Sequence, residues 1–405
     1  MPKLALNLYL AGVMVFLWGI AGSAGVMTGE VVPHPGKAIP PEPRLETTIT
    51  LCAVGDLLMH MPIVNAAKEG SNYRFEPLFS PVESYINGVD YAVANLETRL
   101  AGRSLGFSGY PCFNTPDELA DALKNAGFDL VTTANNHSLD RGWEGIVNTI
   151  ECLERVGLHH IGTNRSPEER RRAFIAEVNG IKIGCLNYTT FTNGLPLPPE
   201  HPYAVNILEL DAVSQDIAAL KAENPDVIIA FLHFGIEYQR TPSRSQRDIA
   251  HELCRQGVDV IIGTHPHVVQ PVELMQVVED DRVRNCYIAY SLGNFVSDQR
   301  WRYSDSGIIL VLQISKDHYR DKVVVSKVNY VPVWVDTFYR GGKKQYRVLP
   351  VTQAIAACEN GRDPLLTPQD YHRMTQVREE LQQLLDRPYL HMLSDPNAVS
   401  TGFQS

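Results

Sequence analysis

The sequence lacks closely spaced pairs of cysteines. Its seven cysteines stand at positions 52, 112, 152, 185, 254, 286 and 358. None forms a C-x-x-C pair, which excludes a zinc ribbon or a thioredoxin-type motif of that pattern. Their odd number argues against a complete set of internal disulfides, and it is compatible with one pair if the protein is exported.

The sequence also lacks an excess of basic residues. It has 36 Lys and Arg against 46 Asp and Glu, a net charge of −10 over 405 residues. Binding to nucleic acid needs a basic face, so we expect no nucleic-acid partner. A repeat at a fixed period of 20–50 residues, which would predict a solenoid, is not visible either.

The N-terminal part has an unbroken apolar character that the rest of the chain does not share. The stretch from Leu4 to Met27 carries no charged residue, which predicts a signal sequence or a membrane anchor over residues 1–30. Five prolines follow within residues 31–47 and predict an extended linker. We therefore expect an extracytoplasmic protein that is membrane-anchored or secreted.

From residue 48 onward, short apolar runs that end in polar residues alternate with amphipathic segments. The segment 115–127 begins with Thr-Pro-Asp-Glu and ends at Gly127, as a capped helix does. Strands that alternate with helices predict an α/β architecture with a buried sheet. The stretch 307–336 reads as antiparallel strands only. We expect a main domain over 48–357 and a helical extension over 358–405.

The polar residues collect where the predicted strands end. Ligands of open α/β sheets bind at the carboxyl ends of the strands, so these side chains can converge on one site. Each has an ordinary alternative as a turn residue, a cap or a histidine at the edge of the core. Together, carboxylate, amide and imidazole groups without cysteine suit Mn²⁺, Fe²⁺ or Zn²⁺. The residues are Asp56, Asn95, Glu97, Asn136, His137, His233, His265, His267 and Asn294.

The segment "IIGTHPHVVQ" (261–270) contains two of these histidines. Residues one apart in an extended strand point to opposite sides. Pro266 between His265 and His267 favours a turn instead, and a turn can bring both rings to one site. A carboxylate can bridge two ions in such a site, and Glu97 is a fitting bridge.

Six motifs in order resemble a known family. "AVGDLLMH", "ANLET", "TTANNHSLDRG", "LHFGIEYQ", "IIGTHPHVVQ" and "YSLGNFV" lie within residues 49–300. They resemble the bacterial capsule-synthesis family of the poly-γ-glutamate type, usually called CapA, which is similar to the calcineurin-like metallophosphatases. The resemblance implies a four-layer αββα sandwich of metallophosphatase type, with the site at the strand ends.

The resemblance also implies roles for single residues. Asp56 and His267 would bind a first divalent ion, His233 and His265 a second, with Glu97 as the bridge and Asn136 as an amide ligand. His137 would protonate a leaving group, with Asp140 as a carboxylate partner. Asn95, Glu237 and Asn294 would contact substrate or support the ligands. Leu58 stands where metallophosphatases have a histidine, so the site would hold one or two ions, and His60 lies two residues further on.

Three functions are compatible with this resemblance. The first is a metal-dependent hydrolase or transferase that acts on a capsular or cell-envelope polymer, with capsule-synthesis membrane proteins as partners. The second is a non-catalytic component of a polymer synthesis and export assembly; an ordinary phosphoesterase is a third. An anionic polymer would need a cationic cleft. The candidate cations are Arg99, Arg103, Arg141, Arg240 and Arg244, and the segments 102–116 and 188–205 are expected to shape the cleft.

Overall fold

The structure is a computed structural model that describes residues 45–279 and 282–400. The predicted signal sequence or anchor and most of the predicted linker lie outside the described residues. Within the described ranges, no helix has both the length and the apolar character needed to cross a bilayer.

Strands and helices alternate through the first two thirds of the described chain. The strands are β1 (Glu46–Leu57), β2 (Lys68–Glu69), β3 (Asn72–Tyr73), β4 (Tyr91–Asn95), β5 (Leu130–Thr132), β6 (His159–Ile161), β7 (Phe174–Val178), β8 (Ile181–Thr189), β9 (Val227–His233), β10 (Val260–Thr264), β11 (Val272–Glu279), β12 (Arg282–Ala289), β13 (Asn294–Val296), β14 (Ser306–Asp317), β15 (Lys322–Arg340), β16 (Lys343–Pro350) and β17 (Leu390–Met392). The helices are α1 (Met61–Ala67), α2 (Glu76–Phe79), α3 (Glu83–Ile86), α4 (Glu118–Asn125), α5 (Gly142–Arg155), α6 (Pro167–Arg171), α7 (Leu210–Ala222), α8 (Arg244–Arg255), α9 (Val351–Glu359), α10 (Pro368–Leu384) and α11 (Asn397–Ser400). A 3₁₀ turn covers Arg103–Leu105.

Two large sheets form the centre of the fold. The first has the order β16-β15-β14-β1-β4-β5-β6, with β13 beside β1 and β17 beside β15. The second has the order β11-β12-β10-β9-β8-β7. Strands β1, β4, β5 and β6 are parallel, as are β8, β9, β10 and β12. Their carboxyl ends therefore gather at one edge of each sheet.

The alternation of side chains along the strands defines four layers. In β1, Ile49 and Leu51 face the second sheet, whereas Cys52 and Val54 face the helices α1 to α4. In the second sheet, Ile229 of β9 faces the first sheet, and its neighbours pack against α7 and α8. The prediction of an αββα sandwich is confirmed. The expected strand-only stretch is also confirmed, because β14 pairs antiparallel with both β1 and β15.

The C-terminal part belongs to the same core. Position 358, the expected start of a helical extension, lies within α9. Met374 and Leu381 of α10 are buried in the cluster between the two sheets, and β17 pairs in parallel with β15. This segment therefore contributes a strand as well as helices, and it covers one end of the sandwich. At the other end of the main domain, β1 begins at Glu46, inside the predicted linker.

Candidate metal centre

The carboxyl ends of the central strands bring the predicted residues together. Asp56 of β1 lies opposite Asn95 of β4 in the sheet register, and His233 of β9 lies opposite Thr264 of β10. The two sheets meet across this edge, because His267 Nδ1 lies 3.0 Å from Asp56 Oδ2. The site is thus built from both sheets, and its ligand candidates come from the loops that follow their strands.

The turn at His265 and His267 explains how both rings face one site. Both residues have positive φ angles, 97° and 58°, which non-glycine residues rarely adopt. Tyr238, with φ at 62°, donates its backbone N–H to the oxygen of Pro266 at 2.8 Å and holds the turn. The two imidazole centroids lie 6.0 Å apart. The expectation of a turn is met, and backbone strain of this kind is concentrated at functional sites.

Glu97 lies at the centre of the site. Its side chain is wholly buried, and neither carboxylate oxygen accepts a hydrogen bond from any described residue. Burial, followed by the nearby charge of Asp56, raises the pKa of Glu97 well above its usual range. An ionised carboxylate without donors needs a cation beside it.

His233 is buried beside Glu97 and is oriented at both ring nitrogens. Its Nε2 lies 2.8 Å from Asn136 Oδ1 and 3.6 Å from Glu97 Oε1. Its Nδ1 lies 3.0 Å from the hydroxyl of Thr264. Burial lowers the pKa of His233 well below its usual range, so the ring is neutral at neutral pH. A neutral ring with one nitrogen fixed by a hydroxyl can offer the other to an ion.

His265 completes a group with His233 and Glu97. Its Nδ1 is buried and has no hydrogen-bond partner in the described part of the chain. Burial, together with the proximity of His267, lowers its pKa to about 3. The ring centroid of His265 is 4.9 Å from that of His233 and 5.0 Å from that of Phe191, which meets it edge-on. An imidazole that stays neutral and unpaired is available as a ligand.

His267 is oriented by oxygen atoms. Its Nδ1 lies 3.0 Å from Asp56 Oδ2 and 3.1 Å from Asn294 Oδ1. The Asn294 amide is fixed because its Nδ2 donates to the oxygen of Ser304 at 2.8 Å. With a proton on Nδ1, His267 presents Nε2, which lies 3.8 Å from Glu97 Oε1. Asn294, expected as a substrate or supporting residue, lies in the supporting position.

His137 and Asp140 form a pair at the edge of the site. His137 Nδ1 lies 2.7 Å from Asp140 Oδ2, and the same oxygen accepts the backbone N–H of Phe113 at 2.6 Å. The Phe113 ring meets the imidazole edge-on at 4.7 Å. Both side chains of the pair are nearly buried. With a proton on Nδ1, donated to Asp140, the ring would keep Nε2 as its unprotonated nitrogen.

The donor set fits divalent metal ions. Three groups each place their ligand atoms within 4.8 Å of one another: Asp56, Glu97 and His267; Glu97, His233 and His265; and Glu237, His265 and His267. Glu97 belongs to the first two groups, which correspond to the two ions and the bridge implied by the resemblance. Its orphaned oxygens and the orphaned nitrogen of His265 are the observations that call for a cation.

The remaining predicted residues surround these groups. Asn95 Nδ2 donates to Asp56 Oδ1 at 2.8 Å and thereby orients that carboxylate. Glu237 is exposed, and of the three groups it belongs only to the one with His265 and His267. Leu58, which replaces the expected histidine, is buried and faces the entrance to the site. His60 Nδ1 accepts the backbone N–H of Asp298 at 3.3 Å, and burial lowers its pKa to about 4.

An open cleft leads to the site and is called the outer cleft. Its volume is about 550 Å³. It is lined by Leu58, His60, Tyr110, Phe113, His137, Glu237, Tyr238, His267, Asp298, Gln299, Arg300 and Trp301. Tyr110 and Phe113 come from the segment 102–116, as expected. The segment 188–205 supplies Phe191 beside His265 and Asn193, which accepts a hydrogen bond from Asn136 at 3.1 Å.

The five candidate arginines do not line the outer cleft. Arg99 is wholly buried and donates to the oxygen of Leu96 at 2.8 Å, and burial lowers its pKa to about 10. Its Nε and Nη1 have no partner within the described ranges. The others bind elsewhere: Arg103 on Tyr73 and Phe107, Arg141 on Ser108 and Cys112, Arg240 on Tyr303, and Arg244 near Asp248. The expected cationic cleft is therefore not built by these residues.

Sequence reasoning included Tyr110 only through its segment, and it did not single out Tyr238, Gln299 and Trp301 as cleft residues. Tyr238 follows the "HFG" motif by three residues, so its proximity to the site could have been inferred. Trp301 lies in a loop without pattern, and no signal in the sequence marks it.

The fold and the site define a class of protein: a four-layer α/β sandwich whose strand ends present a carboxylate–histidine centre suited to divalent ions. Within that class, the chain belongs to the family described as bacterial capsule synthesis protein, PGA_cap, whose family model matches residues 50–299. The family implied by the six motifs is thereby confirmed.

The chain has similar proteins among known sequences and solved structures. The chain is 29% identical over 288 residues to the capsule biosynthesis protein CapA of Bacillus anthracis, and the match covers 67% of this chain and 65% of that protein. It is 27% identical over 288 residues to the PGA biosynthesis protein CapA of Bacillus subtilis (strain 168), with 68% and 70% covered. The matched part thus spans less than two thirds of the Bacillus anthracis protein. Among solved structures, the calcineurin-like phosphoesterase YfkN from Bacillus subtilis aligns with a TM-score of 0.41 and 15% identity, over 84% of this chain and 98% of that one.

Proposed function

We propose that this protein is an extracytoplasmic, metal-dependent hydrolase or transferase that acts on a cell-envelope polymer in capsule or poly-γ-glutamate synthesis or processing. The observation that carries the proposal is Glu97, a buried carboxylate without donors among the described residues, which belongs both to the group with Asp56 and His267 and to the group with His233 and His265. A buried ionised carboxylate of this kind destabilises the fold unless a cation lies beside it, which supports metal-dependent chemistry.

Different residues of the protein have different roles in the proposed reaction. Divalent ions, when bound, polarise the group under attack and lower the pKa of a water molecule. Asp56, Glu97, His233, His265 and His267 would hold them, with Asn136 beside His233. His137 keeps its Nδ1 on Asp140 and directs Nε2 toward the cleft, where it can give a proton to a leaving group.

The location is supported by two features. The apolar stretch from Leu4 to Met27 has the character of an export signal or an anchor. Cys254 of α8 and Cys286 of β12 form a disulfide, and such bonds persist in oxidising compartments. An exported protein of this family would work beside the membrane proteins of a capsule-synthesis assembly, and its polymer would pass along the outer cleft.

One observation favours the alternative of a non-catalytic component that binds polymer or metal during export. Leu58 places an apolar side chain at the entrance where a histidine would complete the first ion's ligands. A first ion held by fewer ligands would be weakly bound or missing, and a single ion at His233 and His265 could then serve structure alone.

The experiment compares metal content and polymer turnover in the full chain. Protein purified without chelator should carry Mn, Fe or Zn, and should generate new amine or reducing ends from poly-γ-glutamate or peptidoglycan fragments. His137→Ala should abolish turnover and retain metal, whereas His318→Ala, at an exposed position, should change neither. Metal binding without turnover of either polymer would favour the non-catalytic alternative. Failure to bind these ions on titration would contradict the proposal.

A further inference from the structure

We propose that the outer cleft binds the sugar rings of a neutral glycan, with Trp301 and Tyr110 as stacking residues and Tyr238 as the wall nearest the metal centre. The inference rests on the proposed function in one respect: it treats the cleft as the polymer-facing side of the same site. It assigns a substrate class that the names of the relatives do not contain.

The first argument is the exposure of aromatic rings at the cleft. Tyr110 is 76% exposed, Trp301 65% and Tyr238 42%. Large aromatic side chains bury much apolar area when they are covered, so three exposed ones at one cleft indicate a binding surface. The C–H face of a pyranose ring is apolar and carries partial positive charge, and it packs against the negative face of an aromatic ring.

The second argument is that these rings are coupled to the metal centre. The Tyr238 hydroxyl accepts a hydrogen bond from Gln299 Nε2 at 3.1 Å, which ties the loop of Trp301 to the loop that holds the histidine turn. The Tyr238 ring lies 6.0 Å from that of His267. The backbone oxygen of Trp301 accepts from Ser304 N at 3.0 Å, which orders the loop itself. A chain held on these rings would therefore be positioned over the site.

The third argument is the charge of the cleft. Its acidic residues are Glu237 and Asp298, and Arg300 is the cation among its described lining residues. Arg300 Nε lies 3.9 Å from Asp298 Oδ1, and Lys344 Nζ lies 2.7 Å from the same oxygen, so this carboxylate is shared by two cations. Asp56 and Asp140 add carboxylates beneath the cleft, where they contact His267 and His137. Away from the ions, this surface has no excess of positive charge that would attract a polyanion, whereas Glu237 and Gln299 can accept hydrogen bonds from the hydroxyls of a neutral sugar.

The experiment measures binding of neutral hexasaccharides to the full chain by calorimetry. The probes are the hexamers of N-acetylglucosamine, of β-1,4-linked glucose and of α-1,4-linked glucose. At least one should bind saturably, and Trp301→Ala should weaken that binding about tenfold, with Tyr110→Ala weakening it several-fold. Tyr319→Ala, an aromatic residue that is 87% exposed outside the cleft, should leave it unchanged. Trp301 and Tyr110 are exposed, so both variants should keep the melting temperature of the parent.

The outcomes separate this inference from the proposed function. A parent protein that binds a hexasaccharide and turns over no polymer would contradict the function and leave the inference standing. If none of the three probes binds, or if Trp301→Ala binds as the parent does, the inference is overturned whether or not a polymer is cleaved. Tighter binding of poly-γ-glutamate that is lost in Trp301→Ala would assign the cleft to a polyanion instead.

Discussion

Glu97 Oε1 lies 3.6 Å from His233 Nε2, and both side chains are wholly buried. The same oxygen lies 3.8 Å from His267 Nε2, so the carboxylate, which follows β4 of the first sheet, faces two histidines from strand ends of the second sheet. The residues that hold the sheets together at this edge are therefore also those that require a cation. Folding and metal binding should be coupled through Glu97.

Replacement of Glu97 by Gln should separate these two roles. In chelator at pH 8, we expect Glu97→Gln to raise the free energy of unfolding by about 1–3 kcal/mol, because a buried carboxylate without donors is replaced by a neutral amide. The folded pKa of Glu97 is raised, so the folded state binds more protons and the parent loses stability as the pH rises above about 4.5. The free energy of unfolding that Glu97→Gln gains over the parent should consequently shrink as the pH falls toward 4.5. Urea unfolding at several pH values measures it.

The same variant should bind Mn²⁺ or Zn²⁺ more weakly, since the bridging charge is removed. Glu200→Gln, at an exposed position, is the matched control and should change neither quantity. Loss of stability in chelator together with unchanged metal affinity would show that Glu97 has neither role.

His265 should make stability depend on pH in the opposite direction. Its folded pKa is about 3, against about 6.5 in the unfolded chain, so the unfolded state binds one more proton between these values. The free energy of unfolding should then fall as the pH is lowered from about 6.5, by about 1.4 kcal/mol per pH unit from this residue. His265→Asn in chelator should reduce the slope by that amount.

His391→Asn provides the comparison, because His391 is exposed. The free energy of unfolding of His391→Asn should depend on pH with the same slope as that of the parent. A slope that is the same in His265→Asn and the parent would mean that His265 is protonated in the folded protein, and it would remove this residue from the ligand set.

The sequence predicted an α/β architecture and polar residues at the strand ends because both follow from local rules, whereas the four layers were implied by the resemblance. Apolar runs that end at His233 and Thr264 are neighbouring parallel strands of one sheet, and the run that ends at Asp56 is a strand of the other. The turn at His265 was predicted for the same reason, since Pro266 breaks the strand. The contacts between side chains of the site could not be predicted from the sequence. His267 Nδ1 lies beside Asp56, 211 residues away, and this contact depends on how the two sheets pack.

The arginines show that the direction of a loop side chain could not be predicted from the sequence. Arg99 follows a ligand motif by two residues and was expected in the cleft, but the chain turns there and buries the guanidinium against Leu96. Trp301 does line the cleft, although it lies in a loop without periodicity. Side-chain direction in loops is set by long-range contacts, such as the hydrogen bond between Gln299 and Tyr238, and sequence pattern does not record these.

Asp140 should act through His137. Asp140→Asn replaces a charged acceptor of the imidazole Nδ1–H by a neutral amide, which weakens the preference for the reactive tautomer. We expect a fall in kcat of about 10–10³ with little change in KM, and an unchanged metal content. The pH profile should change as well, because Asp140 contacts the ring that is proposed to transfer the proton. A fall in KM alone, or an unaltered pH profile, would assign Asp140 to holding the Phe113 backbone and not to proton transfer.

The disulfide between Cys254 and Cys286 should stabilise the fold outside the site. It joins α8 to β12 across 32 residues, and closing a loop of this length is worth about 3–4 kcal/mol of unfolding free energy. Reduction, or the double substitution of both cysteines by Ser, should lower the urea midpoint accordingly, while Cys112→Ser, which removes an exposed thiol, should not. Thiol titration in denaturant should find five free cysteines in protein isolated from the oxidising side of the membrane. Seven thiols and a midpoint that is insensitive to reductant would show that the pair is reduced in that material, and one of the two supports for export would then be lost.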